Sequence, residues 1–449
     1  MRNLTWPAKI LLLLIVVVCS ACMCIYWSRM TDAVHALAPS SAVLKPQVLT
    51  DFYPSWYATR ELLLHHRDPY GAEINRDLQI AYYNKELDPS HPEEQVDQQR
   101  FVYPLYFTFF VAPMARLEFH QAQIAFWWIL AACAVVNVFL WLRFLRLRLS
   151  APASLALFAL VLSSIPIIQN LSILQPFLLS ACFMAAAAAA VSSGYLFLAG
   201  ALLSVATIKP QTCLLPMIWF ALWAGSNWLR RRTLFFGFAA GLATLIFTSE
   251  WVFPGWLIRY PGVLIAYAGY TKATSLLGTL LRSPLQWLLA FLLFAIVAEF
   301  CWMVRKQPSD SAAFAVALSL TLALTCWIIP AVVQPFNHVL LVPAVLLGIR
   351  YWKQLCQRNA ATLVATSVFS FCALLPWPLA VAAVSIPLIP KNGWLLKLWS
   401  APIATSMMLP FAAFGILILL RKETLHPTIG GAGRPQWQPG GAPVVTGHS

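Results

Sequence analysis

The sequence predicts an all-α polytopic membrane protein: a bundle of about twelve transmembrane helices with one large loop on the non-cytoplasmic side. Three observations carry that prediction. The first is composition, because 60% of the 449 residues are hydrophobic and only 10% are charged. Soluble domains carry about 25% charged residues, so an ordinary cytosolic enzyme, a disordered chain and a secreted disulfide scaffold are excluded. The second is the recurrence of apolar runs near the about 20 residues that cross a bilayer core of about 30 Å. The third is where the charges lie. A net charge of +14 would point to nucleic acid in a soluble protein. Here the Lys and Arg residues cluster between apolar runs, while 11 of the 16 acids fall between Asp32 and Asp97. The excess is an orientation signal, and no nucleic-acid partner is expected.

The elements follow in order. Residues 1–27 hold a short basic start and the first apolar run, 10–27. It is similar to a signal peptide, but Cys19-Ser20-Ala21-Cys22 is a poor processing site, so a retained first transmembrane helix is expected. Residues 28–120 form the external loop, in which 53–64 and 73–86 place aromatic and aliphatic residues at helical spacing. Both read as amphipathic helices lying on the membrane. Phe101 to Ala115 is apolar but too short to span, since fifteen helical residues rise only about 22 Å, and reads as re-entrant. Residues 121–422 hold the remaining runs at 121–142, 152–168, 171–191, 194–208, 212–227, 233–253, 285–304, 312–332, 338–350, 361–382 and 401–420. Residues 423–449 are rich in Gly and Pro and read as a disordered cytoplasmic tail.

Leaving 101–115 out of the spans places Arg143/Arg146/Arg148, Arg230/Arg231/Arg232, Arg305/Lys306, Arg350/Lys353/Arg358 and Arg421/Lys422 on the cytoplasmic side, with both termini. Counting it as a span would put every cluster outside, against the positive-inside rule. Nine of the ten cysteines lie in or beside apolar runs, where a free Cys behaves as a small hydrophobe, and no disulfide framework or zinc-ligand spacing is visible. The six-alanine run 185–190 reads as close helix packing.

The candidate residues gather on the external side. Asp51, in Asp51-Phe52-Tyr53-Pro54, precedes the first amphipathic helix. An Asp there either caps that helix or takes a proton from a hydroxyl nucleophile. Asp68-Pro69-Tyr70-Gly71 is a turn signature. Lys209, in Lys209-Pro210-Gln211, stands at an external helix end, against the usual bias of cations. Arg259, Lys272 and Arg282 occupy the external segment 254–284, and Asn337-His338 opens a later run from the same side. Such cations suit a lipid phosphate or serve as snorkelling anchors. Gln169, Asn170 and Gln175 flank a hairpin and either bind sugar hydroxyls or satisfy its backbone. Glu250 is a second external carboxylate, and Glu299 lies toward an inner helix end. No Gly-rich nucleotide loop, Ser/His/Asp arrangement or metal-ligand spacing occurs, so an outward-facing enzyme would need an activated donor carried in the membrane.

Asp51-Phe52, Trp56-Tyr57-Ala58, Arg67-Asp68-Pro69-Tyr70 and Phe101-Val102-Tyr103-Pro104 resemble glycosyltransferase family 87 in their order and spacing. So do Leu174-Gln175, Gly200-Ala201, Ile208-Lys209-Pro210, Ser275-Leu276-Leu277-Gly278, Arg282 and His338, and the resemblance covers about residues 45 to 350. It implies a GT-C-like integral-membrane fold and an enzyme that takes a sugar, typically mannose, from a polyprenyl-phosphate donor. Asp51 then matches the family's general base. Lys209, Arg282 and His338, with Arg259, Gln175 and Tyr103, would bind the donor's phosphate and sugar. Two departures are Leu174 and His66-Arg67, where the family often has Gly. The expected partners are the lipid-linked donor, a lipid or glycan acceptor and membrane lipids. The sequence demands no metal and no other cofactor. The expected location is an inner or plasma membrane, with the active site on the periplasmic or extracellular face. The rival readings are a lipid-linked glycan transporter or flippase without chemistry, and an O-antigen ligase or polymerase, whose large loop usually comes late in the chain.

Overall fold

The computed structural model describes residues 5–37, 49–88, 98–271, 273–330, 332, 334–386 and 393–425. Lys272, most of the tail, and parts of the external loop lie outside the described residues. The described chain is all-helical. It runs α1 (Trp6–Leu37), α2 (Tyr53–His65), α3 (Ala72–Tyr83), α4 (Thr108–Val111), α5 (Phe119–Phe144), α6 (Ala151–Leu162) and α7 (Ile165–Ile173). Next come α8 (Phe177–Ser192), α9 (Leu196–Ala206), α10 (Pro210–Gly225), α11 (Trp228–Val252), α12 (Trp256–Thr271), α13 (Leu276–Leu280) and α14 (Leu285–Val304). The last are α15 (Ala312–Ile328), α16 (Val342–Arg358), α17 (Ala360–Leu374), α18 (Pro376–Val384), α19 (Gly393–Ser406) and α20 (Leu409–Leu425).

Seven helical segments among the described residues are long and apolar enough to cross a membrane, and an eighth if α6 and α7, bent by 53°, count as one span. The sequence leads one to expect twelve. The difference lies partly in α8, α9 and α15, which are apolar but only 16, 11 and 17 residues long. The predicted run 152–168 ends early. Ser164-Ile165-Pro166 opens a new helix with Pro in its first turn, a position that needs no N–H. The turn to the next helix therefore falls at Leu174 to Pro176, later than the predicted hairpin.

The core is built where backbones can touch. A Cβ on Gly200 would lie 2.1 Å from the Leu234 carbonyl oxygen, and one on Gly237 would lie 2.0 Å from that of Phe197. Small residues permit this approach of α9 to α11. The alanine run of α8 is buried at Ala185 and Ala187 to Ala190, as its composition predicts. α15 is buried continuously from Ala313 to Cys326 at the centre of the bundle. α1 stands apart from this core. It packs through Met23, Tyr26 and Met30 against Ile165, Trp377, Ala380 and Trp399, and the Tyr26 hydroxyl donates to the Trp399 carbonyl, 373 residues away, at 2.6 Å.

The basic clusters predicted to share a side gather at one end. Arg146 pairs with Asp310 at 3.2 Å, Arg350 donates to the Leu145 carbonyl, and Arg231 donates to the carbonyls of Arg305, Lys306 and Gln307. Glu299 meets Arg421 at 3.8 Å, an ion pair at the edge of the bundle.

α2 and α3 form where the sequence predicts amphipathic helices, but α2 is buried within the protein and does not lie on its surface. α2 buries Pro54, Trp56, Ala58 and Leu62 against 105–115 and α5. Residues 105–114 form a broken ten-residue helix, which rises about 15 Å and is too short to span. Arg67 binds Glu61 at 2.8 Å and Asp77 at 2.7 Å and thereby joins α2 to α3. Tyr57 donates to the same Asp77 carboxylate at 3.0 Å. Burial first, then that hydrogen bond, pushes its phenol up to about 12, so it remains a donor at neutral pH.

Candidate active site

Opposite the basic end, α2, the 98–115 stretch, α7, α8, the α9–α10 break and residues 334–341 converge. Asp51 arrives there because its peptide N–H donates to the Ile173 carbonyl at 3.1 Å, while Tyr82 of α3 donates to the Thr50 carbonyl at 2.7 Å. The cap reading of Asp51 does not hold: Phe52 occupies the cap position of α2, and no side chain caps that end. The Asp51 carboxylate accepts instead from Gln175 Nε2 at 2.5 Å. Tyr103 donates to the other end of that amide, Oε1, at 3.3 Å. A phenol, an amide and a carboxylate thus stand in line.

Gln175 owes its aim to a costly backbone. Leu174 ends α7 at φ 55°, ψ 50°, and His66 ends α2 at φ 54°, ψ 30°. Both are left-handed, a conformation that costs an L-residue about 1–2 kcal/mol and glycine nothing. These are the two places where the family resemblance expects Gly. The departures change the residue and keep the turn.

Lys209 stands between α9 and α10 because Pro210 excludes helical geometry at the residue before it. Lys209 has φ −124°, ψ 78°, and Pro210 begins the new helix. Tyr106 pins the break from the side through Thr207 Oγ1 at 2.7 Å. The ammonium is buried, with 7% of the residue exposed. It lies 5.0 Å from the Phe177 ring centre and 4.7 Å from that of Phe336, and donates to Asn337 Oδ1 at 3.5 Å. Asp51 is close enough for its charge to act on it. Asn170 completes the frame by donating to the Phe336 carbonyl at 2.8 Å.

His338 is the next residue after Asn337 and is buried, and neither ring nitrogen has a hydrogen-bond partner among the described residues. It lines an apolar cavity of about 370 Å³ together with side chains such as Leu160, Val345, Phe369 and Trp377. That cavity runs among α6, α7, α16, α17 and α18.

Asp51, Gln175, Tyr103 and Lys209 therefore come together, with His338 beside them. Two other candidates sit elsewhere. Arg259 pairs with Asp68 at 2.7 Å and straps α12 to the turn before α3. Arg282 is exposed between α13 and α14, and its side chain makes no hydrogen bond or ion pair among the described residues. Glu250 closes the turn into α12 by accepting from the N–H groups of Gly255 and Leu257 at 2.6 and 3.2 Å. The residues that sequence reasoning missed are Phe177 and Phe336. Each adjoins a polar residue of interest, after Gln175-Pro176 and before Asn337, but only the fold shows that their rings face one cation.

Among comparisons with known proteins, the model of glycosyltransferase family 87 matches residues 101–335, just over half of the chain. The matched region contains Tyr103, Gln175 and Lys209, begins after Asp51 and ends before His338. No curated protein and no solved structure matches the chain.

Proposed function

The chain belongs to glycosyltransferase family 87 and is a membrane glycosyltransferase; from that premise we propose that it moves mannose from a polyprenyl-phosphate donor to a lipid or glycan acceptor, with Asp51 as general base. The observation that carries this reading is the Asp51–Gln175 contact at 2.5 Å with the Lys209 ammonium in its field. It sets a proton acceptor whose charge acts on a cation that keeps hydrogen-bonding capacity, and His338, next in the chain to the Lys209 partner Asn337, lines an apolar cavity.

The isoprenoid chain lies in the cavity beside His338, and the phosphate meets Lys209, supported by Asn337. Gln175 and Tyr103 hold the carboxylate and contact the sugar, while Arg259 and Arg282 act on the approach to the site. An acceptor hydroxyl attacks the anomeric carbon and its proton passes to Asp51. The bond from that carbon to the phosphate oxygen breaks with inversion, and the lipid phosphate leaves with the bonding pair. Lys209 balances the leaving charge. A transporter without chemistry does not fit the family. With the basic end of the bundle on the cytoplasmic side, the site opens on the periplasmic or extracellular face and both termini are cytoplasmic.

The test is transfer from radiolabelled polyprenyl-phosphate mannose to a lipid extract by purified protein. Asp51→Asn is expected to bind donor normally and lose transfer by about 10²–10⁴-fold, the usual worth of a positioned base. A folded Asp51→Asn protein with full transfer would remove Asp51 from the mechanism. Transfer from another polyprenyl-phosphate sugar, with none from mannose, would replace the donor.

A further inference from the structure

A second concavity is an open groove of about 290 Å³ lined by Thr50, His120, Gln123, Trp127, Trp128 and Ser172, with Ile124, Leu171 and Leu174 between them. Five of these come from one helix. Positions 120, 123, 124, 127 and 128 recur at i, i+3, i+4, i+7 and i+8, which places them on one stripe of the first turns of α5. The facing wall is the end of α7 and Thr50. Thr50 and Leu174 line the groove and are the chain neighbours of Asp51 and Gln175. The groove therefore adjoins, one residue along the chain on each segment, the two residues of the Asp51–Gln175 contact.

The chemistry of the lining is specific. Trp127 and Trp128 are 38% and 65% exposed, and their rings stand at 89° with centroids 4.9 Å apart. They present two indole faces at right angles, flanked by an imidazole, a carboxamide and the Ser172 hydroxyl, with Ile124, Leu171 and Leu174 completing the wall. Neither a Lys or Arg nor an Asp or Glu lines the groove, and Lys209 is not part of it. A phosphate has no counter-charge here. A neutral polyol has what it needs, because ring C–H groups pack on indole faces while hydroxyls pair with amide, imidazole and hydroxyl groups.

We infer that this groove seats the carbohydrate or polyol headgroup of the acceptor and presents one of its hydroxyls to Asp51. The inference rests on the reading of Asp51 as base and adds the acceptor's chemical class and its subsite. Donor and acceptor then bind in separate places, the charged partner at Lys209 and the neutral one at Trp127.

The experiment uses the full chain in phosphatidylcholine nanodiscs, with octyl α-mannoside as a lipid-like probe, free mannobiose as a soluble one and octanol as control. Binding of each probe and initial rates of transfer from polyprenyl-phosphate mannose are measured for wild type, Trp127→Ala, Trp127→Phe and Gln123→Ala. Trp127→Ala is expected to raise the KM for the accepted probe about tenfold, the worth of a lost aromatic contact. The Phe variant should recover part of it, with kcat and acceptor-free hydrolysis of the donor unchanged. Preference for octyl mannoside over mannobiose identifies a lipid acceptor, and the reverse identifies a free glycan. A Trp that only anchors α5 in the membrane would lower yield or all rates together. Unchanged acceptor KM in all three variants, or no binding of either sugar probe by wild type, overturns the inference. Binding measured in Asp51→Asn tests the groove separately from the base, because that variant keeps the groove whether or not it keeps transfer.

Discussion

Two cations are buried to a similar depth at opposite ends of α10, and the fold treats them in opposite ways. Arg231, 9% exposed, donates to the carbonyls of Trp223, Arg305, Lys306 and Gln307 and to the Ser226 hydroxyl, and stacks 4.0 Å from the Trp223 ring centre. The ammonium of Lys209, a residue 7% exposed, has one hydrogen bond among the described residues, at 3.5 Å, and two aromatic faces. An ammonium carries three N–H donors. A buried cation with its donors used up ties chain segments together, whereas one with donors to spare can receive an anion. Burial alone does not distinguish a strut from a binding group; the count of satisfied donors does.

Among substitutions at these two cations and their partners, Lys209→Met gives the largest expected effect. Transfer should fall about 10²–10³-fold, as when a preorganised donor to developing charge is removed, with the unfolding temperature unchanged or raised, since a buried charge has gone. A variant that loses stability and keeps its rate would break the contrast. Arg231→Met should show the opposite pattern. It leaves several carbonyls unpaired and should cost about 2–4 kcal/mol in a denaturation series in detergent, with normal turnover for the protein that remains folded. Asn337→Ala sharpens the comparison at smaller scale. It removes one long hydrogen bond to Lys209 and should slow transfer about tenfold, and a double-mutant cycle with Lys209→Met should show the two effects are not additive.

The sequence leads one to both ends of the bundle and part-way into the site. Basic clusters predicted to share a side do meet, at Arg146–Asp310 and around Arg231, because topology follows from local counts of Lys and Arg. Asp51, Gln175, Tyr103 and Lys209 were recognisable one by one, and they do converge. Other features depend on long-range partners that no window of sequence contains. Arg259 is paired with Asp68, 191 residues earlier, a contact that neither segment read alone announces. The break at residues 163–164 is a local signal that apolar runs conceal, because hydropathy reads through Ser163-Ser164-Ile165-Pro166 while backbone chemistry does not. Leu174 goes further: nothing in its side chain announces a left-handed residue, and the direction of Gln175 depends on it.

The position of α1 at the edge has a consequence for biogenesis. Its Tyr26 is complete only when the Trp399 carbonyl exists, 373 residues later, which at about 5–20 residues per second is roughly 20–75 s of synthesis. Through that interval α1 must remain in lipid without its last partners, held by its own apolar surface and by α6. A nascent chain stalled before α18 should therefore expose α1 to lipid-soluble cross-linkers that the finished protein excludes.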